Sequence, residues 1–183
     1  LVIVPSAILH EYMHGWMADR LGDPTARMAG RLTLDPRAHI DPVGTIALPL
    51  LLSWMSGGAF LFAYAKPVPF DPALLRAPRW GTFFVGIAGP CTNLIIALVL
   101  GALVRLGAAT GGLSLGPTFL EFLSIVVYAN VMLAIFNLVP IPPLDGSRLL
   151  NSLLGNRLRG LQMTLERYGF ILDKVRKGVP TKK

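Results

Sequence analysis

The chain has 183 residues, of which 53% are apolar and only 15% are charged, and its formal net charge is +7. An average soluble domain carries about 25% charged residues, so this composition supplies too few charges to cover a water-exposed surface. It argues against an ordinary soluble domain and favours a single membrane domain whose basic loops face anionic lipid rather than nucleic acid. The single cysteine, Cys91, excludes an internal disulfide.

Four apolar stretches lie along the chain, at residues 1–21, 43–65, 83–106 and 119–139. A helix that spans a membrane needs about 20 mostly apolar residues, so each stretch is long enough. The connecting segments are polar or rich in turn residues. Among them, residues 31–34 predict a short strand, and residues 66–80, with four prolines, predict extended or irregular backbone. A further short helix is predicted at residues 147–154.

The second stretch, residues 43–65, either crosses the membrane or enters it and returns on the same side. If all four stretches span, the lysines and arginines divide five to twelve between the two sides; if the second one returns, Arg105 stands alone against sixteen. Cytoplasmic loops collect Lys and Arg, so the second arrangement fits better. Pro49 and the Gly57–Gly58 pair also interrupt this stretch. We therefore expect an α-helical integral membrane protein with about three to four transmembrane helices, a re-entrant segment and short β elements.

An HExxH motif, formed by His10, Glu11 and His14, lies inside the first apolar stretch. On a helix, residues i and i+4 share one face, so both imidazoles can bind one zinc ion with Glu11 beside it. Zinc lowers the pKa of its bound water towards about 7, and a carboxylate can then take the proton as the water attacks a carbonyl. The alternative, three polar residues on a solvated helix face, is disfavoured because ionisable groups in an apolar span are costly.

A third zinc ligand is needed, because a catalytic site usually has three protein ligands and one open position. The best candidate is Asp145, which follows the fourth apolar stretch and the proline-rich sequence IPPLDG, and which can therefore fold back towards the bilayer. Taken by itself, Asp145 also fits an N-cap for the helix that follows, and an isolated aspartate there would favour the cap.

Taken together, these residues resemble the site-2 protease family of intramembrane zinc metalloproteases. That family joins an HExxH helix to a later NxxPxPxLDG-like segment, which this chain has at residues 137–146. Residues 86–93 (GIAGPCTN) are similar to the family's intervening AGPxxN helix, and residues 30–45 and 65–72 resemble its small bacterial branch. The resemblance extends over about residues 7–170.

The resemblance implies that Glu11 is the general base and that three side chains bind Zn²⁺, namely His10, His14 and Asp145. It also implies that Asn137 holds or polarises the substrate backbone, which an amide can do by donating to a developing oxyanion. Packing against a neighbouring helix is the alternative for Asn137. Asn93 has the same two interpretations, with packing favoured. His39, in a polar loop, is conceivable as a fourth ligand but fits better a histidine bonded to backbone.

Three functions follow from these motifs. The first is a zinc endopeptidase that cuts transmembrane protein substrates in the lipid bilayer, as a protein of the bacterial inner membrane. The second is a non-catalytic membrane scaffold or chaperone that retains the fold, but binding alone would not need the base Glu11. The third is a zinc transporter, which would place further His, Asp or Glu along the spans, and residues 83–106 contain none.

The chain is predicted to divide into two parts. Residues 1–155 would form the membrane-embedded protease core, and residues 156–183 a basic amphipathic or disordered tail. The tail departs from the family, because small bacterial members usually continue past the ERYGF sequence at residues 166–170 with another long apolar helix.

Overall fold

The structure, a computed structural model, describes residues 3–59, 65–110 and 116–155 of the chain. In these residues there are seven α-helices, one π-helical turn, one 3₁₀ turn and no β-strand. The helices are α1 (Ile3–Arg20), α2 (Thr25–Met28), α3 (Pro36–His39), α4 (Leu48–Met55), α5 (Pro78–Thr110), α6 (Pro117–Leu138) and α7 (Asp145–Leu154). The predicted tail at residues 156–183 lies outside the described residues.

Two of the described helices are long and apolar enough to cross a membrane. Their apolar parts are Pro78–Gly107 in α5 and Thr118–Leu138 in α6, each with a mean hydropathy of 2.1. At about 1.5 Å per residue they measure roughly 45 Å and 32 Å, enough for a hydrocarbon core of about 30 Å. Large apolar side chains on α5 point outwards, such as Leu98, which is 73% exposed. The chain is thus a helical protein with the features of a membrane protein.

The central helix is α5, which packs against α1, α6 and α7. It runs antiparallel to α1, because the N–H of Arg76, just before α5, donates to the carbonyl of Leu21, just after α1. Away from this end, His10 in the middle of α1 contacts Asn93 in the middle of α5. The segment between α1 and α5 therefore begins and ends at the same end of α1.

The apolar part of that segment is a short helix. A π-helical turn, Pro42–Ala47, continues directly into α4, and together they form the apolar helical piece Pro42–Met55. At about 1.5 Å per residue this piece is roughly 21 Å long, shorter than a hydrocarbon core of about 30 Å. It ends where Gly57 and Gly58 adopt φ values of 62° and 87°, a conformation that favours glycine. Residues 60–64 lie outside the described residues, and the re-entrant path stays a prediction.

The predicted strand at residues 31–34 is wrong, because this segment is an irregular loop between α2 and α3. The side chain of Arg31 connects this loop to α3 and to the segment before α5. The guanidinium of Arg31, which is 8% exposed, donates to the carbonyl oxygens of Ala38 and of Lys66, the latter at 2.6 Å.

The prediction of extended or irregular backbone at residues 66–80 holds only in part, because a 3₁₀ turn forms at Pro72–Leu74 and α5 begins at Pro78. Residues 65–70, which we call the extended segment, follow an irregular path and form no β element. Pro67 and Pro69 have no N–H to donate, and the N–H of Val68 is bonded to the carboxylate of Glu11 at 3.0 Å. The prolines remove the donors of one edge, and on the other edge the N–H of Lys66 is also taken, by the carbonyl of His39. Neither edge therefore offers a row of free donors to a β ladder. The expectation of short β elements therefore fails in the described part of the chain.

Aspartate–proline pairs organise the turns of this region. In each pair the carboxylate accepts the N–H two residues further on, which fixes a turn at the proline; the pairs begin at Asp23, Asp35, Asp41 and Asp71. Asp23 is fully buried and also accepts the N–H of Asp71 at 2.6 Å. It therefore ties the loop after α1 to the turn before α5. Burial opposes ionisation of Asp23, but hydrogen bonds from Thr25 and Asp71 outweigh it and hold the pKa of its carboxyl below the ordinary value.

We expect Asp23→Asn to destabilise the protein by about 1–3 kcal/mol, because the amide would turn an N–H towards a backbone donor. The folded-state pKa of Asp23 is lowered, so its contribution is complete above the ordinary value of 3.8 and is lost as the pH falls through the lower folded-state value. Thermal unfolding in detergent, measured over a series of acidic pH values, will show the difference in Tm between wild type and variant shrinking to nothing below that pH. Asp35→Asn, at an exposed cap, is the matched control and should cost less. A difference in Tm between wild type and Asp23→Asn that is the same at every pH would contradict this role of Asp23.

Candidate active site

The two histidines of the HExxH motif lie on the face of α1 that packs against α5. Their Nε2 atoms are 3.0 Å apart, and the two rings are nearly perpendicular, with centroids 4.7 Å apart. His10 and His14 are each 4% exposed. The helical spacing of four residues thus brings both imidazoles into one buried position.

A distant carboxylate completes this group. After α6 ends at Leu138, a proline-rich turn brings the chain back, and α7 begins at Asp145. The Oδ2 atom of Asp145 lies 3.1 Å from Nε2 of His10 and 3.0 Å from Nε2 of His14. Asp145 is not the N-cap of α7. It is the first residue inside the helix, the N-cap position belongs to Leu144, and no side chain caps this end of α7.

Neighbouring residues hold Asp145 in place. The turn can close only with glycine at position 146, because a Cβ on Gly146 would lie 2.5 Å from the carbonyl oxygen of Val139. Arg148 donates to the other carboxylate oxygen, Oδ1, at 3.2 Å. A glycine and an arginine thus fix the position of this carboxylate.

The outer nitrogen of each histidine ring has its own acceptor. Nδ1 of His14 donates to the carbonyl oxygen of Val85 at 2.6 Å, and Nδ1 of His10 donates to Oδ1 of Asn93 at 2.7 Å. A carbonyl oxygen can only accept, so the ring proton is on Nδ1 and the Nε2 lone pair is directed inwards. Partners of this kind orient metal-binding histidines in many proteins.

Two imidazole lone pairs and a carboxylate oxygen therefore converge on one point, an arrangement that is repulsive unless a cation lies between them. Two imidazoles and a carboxylate are a common donor set for catalytic zinc. Ligand atoms around a tetrahedral zinc with bonds of about 2.0–2.1 Å are roughly 3.3–3.4 Å apart, close to the separations in this group. Among the described residues, this is the group of His, Cys, Asp and Glu side chains that could hold a metal ion. The donor set thus fits zinc, and three protein ligands leave one position of a tetrahedral ion for a further ligand.

The wall of the site opposite the histidines is a glycine of α5. A Cβ built on Gly89 would lie 2.6 Å from Nε2 of His10 and closer still to Nε2 of His14. One turn earlier, a Cβ on Gly86 would press against α7, 3.3 Å from Leu149. The GxxGPxxN pattern of α5 therefore places small residues against the site and against α7, with Asn93 behind His10.

Glu11 lies beside the group but outside it. Its Oε2 atom accepts the N–H of Val68 in the extended segment, so one carboxylate oxygen has a fixed direction. A Cβ on Gly15 would lie 2.9 Å from the side chain of Val68, so glycine lets the segment pack closely on α1.

The other predicted site residues are placed differently. Asn137 is half-buried in the last turn of α6 and donates to the carbonyl oxygen of Leu133, not to the histidines or Asp145. Asn93 is fully buried and bonded inside the protein, as the packing alternative describes. His39 is buried with Nε2 bonded to the carbonyl of Thr33 at 2.8 Å, which matches the loop histidine bonded to backbone.

Sequence reasoning missed several supporting groups. The amide of Asn130, in the middle of α6, is bonded to Asn93, and the carbonyl of Val85 and the N–H of Val68 hold His14 and Glu11. A signal existed only for Asn130, because an asparagine in an apolar span is costly unless it has a role. Backbone partners leave no trace in the sequence.

Comparison with known proteins decides the family. The sequence profile of Peptidase family M50 matches residues 1–114 and 101–170. The chain belongs to peptidase family M50, the site-2 protease family. The resemblance found in the sequence is thereby confirmed, and the chain is a zinc metalloprotease of the site-2 type.

Relatives in this family come from bacteria and an archaeon. The chain is 38% identical to "Putative zinc metalloprotease YwhC" of Bacillus subtilis over 94% of its own length and 76% of that protein. It is 34% identical to "Putative zinc metalloprotease Rip2" of Mycobacterium tuberculosis over 77% of its length and 51% of that protein, so it spans about half of that relative. "Zinc metalloprotease MJ0392" of Methanocaldococcus jannaschii is 24% identical over 90% of the chain. No solved structure matches the chain.

We expect Gly89→Ala to weaken zinc binding at least about tenfold, because the added methyl would occupy the space where the three ligand atoms converge. Gly101→Ala is the matched control: it lies in the same helix, and its added Cβ would meet nothing within 4 Å. Chelator competition on detergent-purified protein measures both affinities. Wild-type zinc affinity in Gly89→Ala would show that the ion is not held at this point.

Proposed function

We propose that this M50 protein is an intramembrane zinc endopeptidase that hydrolyses peptide bonds in or near the transmembrane segments of membrane proteins. The observation that carries the proposal is the convergence of His10, His14 and Asp145 on one point, with Glu11 next to it on the same helix. His10, Glu11 and His14 all lie on α1, which packs against the membrane-length helix α5.

The proposed roles follow from these positions. His10, His14 and Asp145 would hold the zinc ion. Once bound there, it would supply a water of lowered pKa and polarise the peptide carbonyl. The base is Glu11, which takes the proton from the attacking water and passes it to the leaving amine. Its hydrogen bond from Val68 keeps one oxygen engaged and leaves the other available for this proton transfer.

The extended segment, residues 65–70, is proposed to border the path of the substrate. Its Val68 N–H reaches Glu11, so a peptide lying along it would pass the general base. A helical substrate has its carbonyls bonded within the helix and must unwind before hydrolysis. Asn137 is proposed to hold the unwound backbone, since it lies on α6 just before the turn that carries Asp145. This role requires its amide to leave the carbonyl of Leu133.

The proposed membrane arrangement has α1, α5 and α6 as spanning helices and the apolar segment 43–65 as a re-entrant piece. Contacts between residues 21–23 and residues 71–76 support it, because both ends of the intervening segment lie at one end of α1. The proposed unit is a protease core of residues 1–155 with a basic tail of residues 156–183, located in a bacterial inner membrane. Its proposed partners are transmembrane protein substrates and the bilayer, with no nucleic acid.

We expect Glu11→Gln to keep its zinc, because Glu11 is not part of the ligand group, and to lose cleavage by about 100–10,000-fold, because the amide cannot take a proton. Bound zinc and the cleavage of a panel of single-span membrane peptides in liposomes, with products mapped by mass spectrometry, measure the two effects. The matched control is Glu121→Gln, at an exposed position of α6, which should behave as wild type. His14→Ala should lose both zinc and cleavage. Full proteolysis by Glu11→Gln would refute the proposed mechanism, because Glu11 could then not be the general base.

The re-entrant arrangement predicts which loops share a side of the membrane. In a Cys91→Ala background, single cysteines at Met28 and Leu74, both exposed, should react with an impermeant reagent from one side. A cysteine at Thr118, the first residue of the apolar part of α6, should react from the opposite side. If the Met28 position shares a side with Thr118 instead, the segment 43–65 spans the membrane.

A further inference from the structure

A chain of buried hydrogen bonds runs from His10 to the backbone of α6. Oδ1 of Asn93 accepts from His10 at 2.7 Å, and Nδ2 of Asn93 donates to Oδ1 of Asn130 at 3.0 Å. Nδ2 of Asn130 in turn donates to the carbonyl oxygen of Val126 at 2.9 Å and to the hydroxyl of Ser6 at 3.0 Å. These contacts join α1, α5 and α6 through Asn93 and Asn130, which we call the buried amide pair.

The buried amide pair is closed to solvent. Asn93 and Asn130 are 0% exposed, and Ser6 is 6% exposed. Each amide lies on a helix long and apolar enough to span a membrane, where an unbonded polar group is costly. Apolar side chains of similar volume would be enough for helix packing alone, so the two amides are expected to have a further role.

The contacts fix the direction of every hydrogen bond. The carbonyl of Val126 can only accept, so Asn130 must present its Nδ2 to it and its Oδ1 to Asn93. Asn93 must then turn its own Nδ2 to Asn130 and its Oδ1 to His10. The ring of His10 can meet an acceptor there only with its proton on Nδ1, which leaves the Nε2 lone pair facing Asp145.

We propose that Asn130 is a positioning residue that sets the tautomer of His10 through Asn93, although it touches neither the histidine nor the proposed zinc position. The inference rests on the proposed function only in taking His10 as a metal ligand. His14 needs no such device, because the backbone carbonyl of Val85 accepts directly from its Nδ1. An asparagine side chain such as Asn93 can accept or donate at the same place, so its orientation has to be fixed by a third group.

The test is the tautomer of His10 in zinc-free protein. The chain has three histidines, so the nitrogen-15 spectrum of histidine-labelled protein in detergent is simple enough to assign by single replacement. At a pH where the imidazoles are neutral, wild-type His10 should carry its proton on Nδ1. In Asn130→Leu, which keeps the side-chain size but cannot bond to Asn93, a substantial share of His10 should move its proton to Nε2. The signal of His14 should not change and is the internal reference.

Zinc affinity gives the second readout. A ligand that must first change tautomer binds less tightly, so the zinc dissociation constant of Asn130→Leu should rise by about 10–100-fold, the usual effect of losing such a supporting contact. Asn130→Asp should retain most of the affinity, because its carboxylate still accepts from Asn93. Ser124→Ala is the matched control: it removes a hydroxyl of α6 that donates to the carbonyl of Leu120, away from the buried amide pair.

Two results would overturn the proposal. One is a folded Asn130→Leu protein with the wild-type tautomer and the wild-type zinc affinity. The other is an equal loss of affinity in Asn130→Leu and Asn130→Asp, which would mean that Asn130 acts by packing. If Asn130→Leu does not fold, Asn130→Ala makes the same measurement with a smaller side chain. Because neither readout involves peptide cleavage, a failure of this proposal is distinguishable from a failure of the protease function.

Discussion

The close approach of α5 to α1 at Gly89 is the constraint on which the site depends. A side chain at this position would fill the space into which His10, His14 and Asp145 point. Because the space remains open, two imidazole lone pairs and a carboxylate oxygen can meet within about one zinc coordination shell. The same face of α5 then supplies the acceptors behind the histidines, the carbonyl of Val85 and the amide of Asn93.

Support for the site comes from all the elements around it, and most of it is polar. Arg148 donates to Asp145 from one turn along α7, and its guanidinium lies 5.1 Å from the ring centre of Phe70 in the extended segment. Arg31 donates to the carbonyl of Lys66 in the same segment, and the N–H of Val68 donates to Glu11. The general base, the carboxylate ligand and the proposed border of the substrate path are thus connected by side-chain contacts rather than by a sheet. A buried polar group that lost its partner would find no water to replace it, so the loss of any of these contacts would be costly.

The sequence was a good guide where chemistry depends on local spacing. HExxH places two histidines on one helix face, and the apolar lengths of 83–106 and 119–139 predict the helices now seen as α5 and α6. It was a poor guide to the connections. The strand predicted at residues 31–34 is an irregular loop, and the buried guanidinium of Arg31 at its start donates to the carbonyls of Ala38 and Lys66. No pattern of apolar and polar residues records which side chain will take a backbone acceptor.

What the sequence determined by itself is the chemistry: the donor types, the adjacent carboxylate, and an apolar composition that assigns the surroundings to a membrane. These follow from residue identity and from the fixed geometry of a helix. Only the tertiary structure decided that Asp145 leaves the N-cap position and meets the histidines, and that Asn130 reaches His10 through Asn93. His10 and Asp145 are 135 positions apart in the sequence, and His10 and Asn93 are 83 positions apart. Contacts at such distances depend on how the helices pack, which is a property of the whole fold and not of any segment of it.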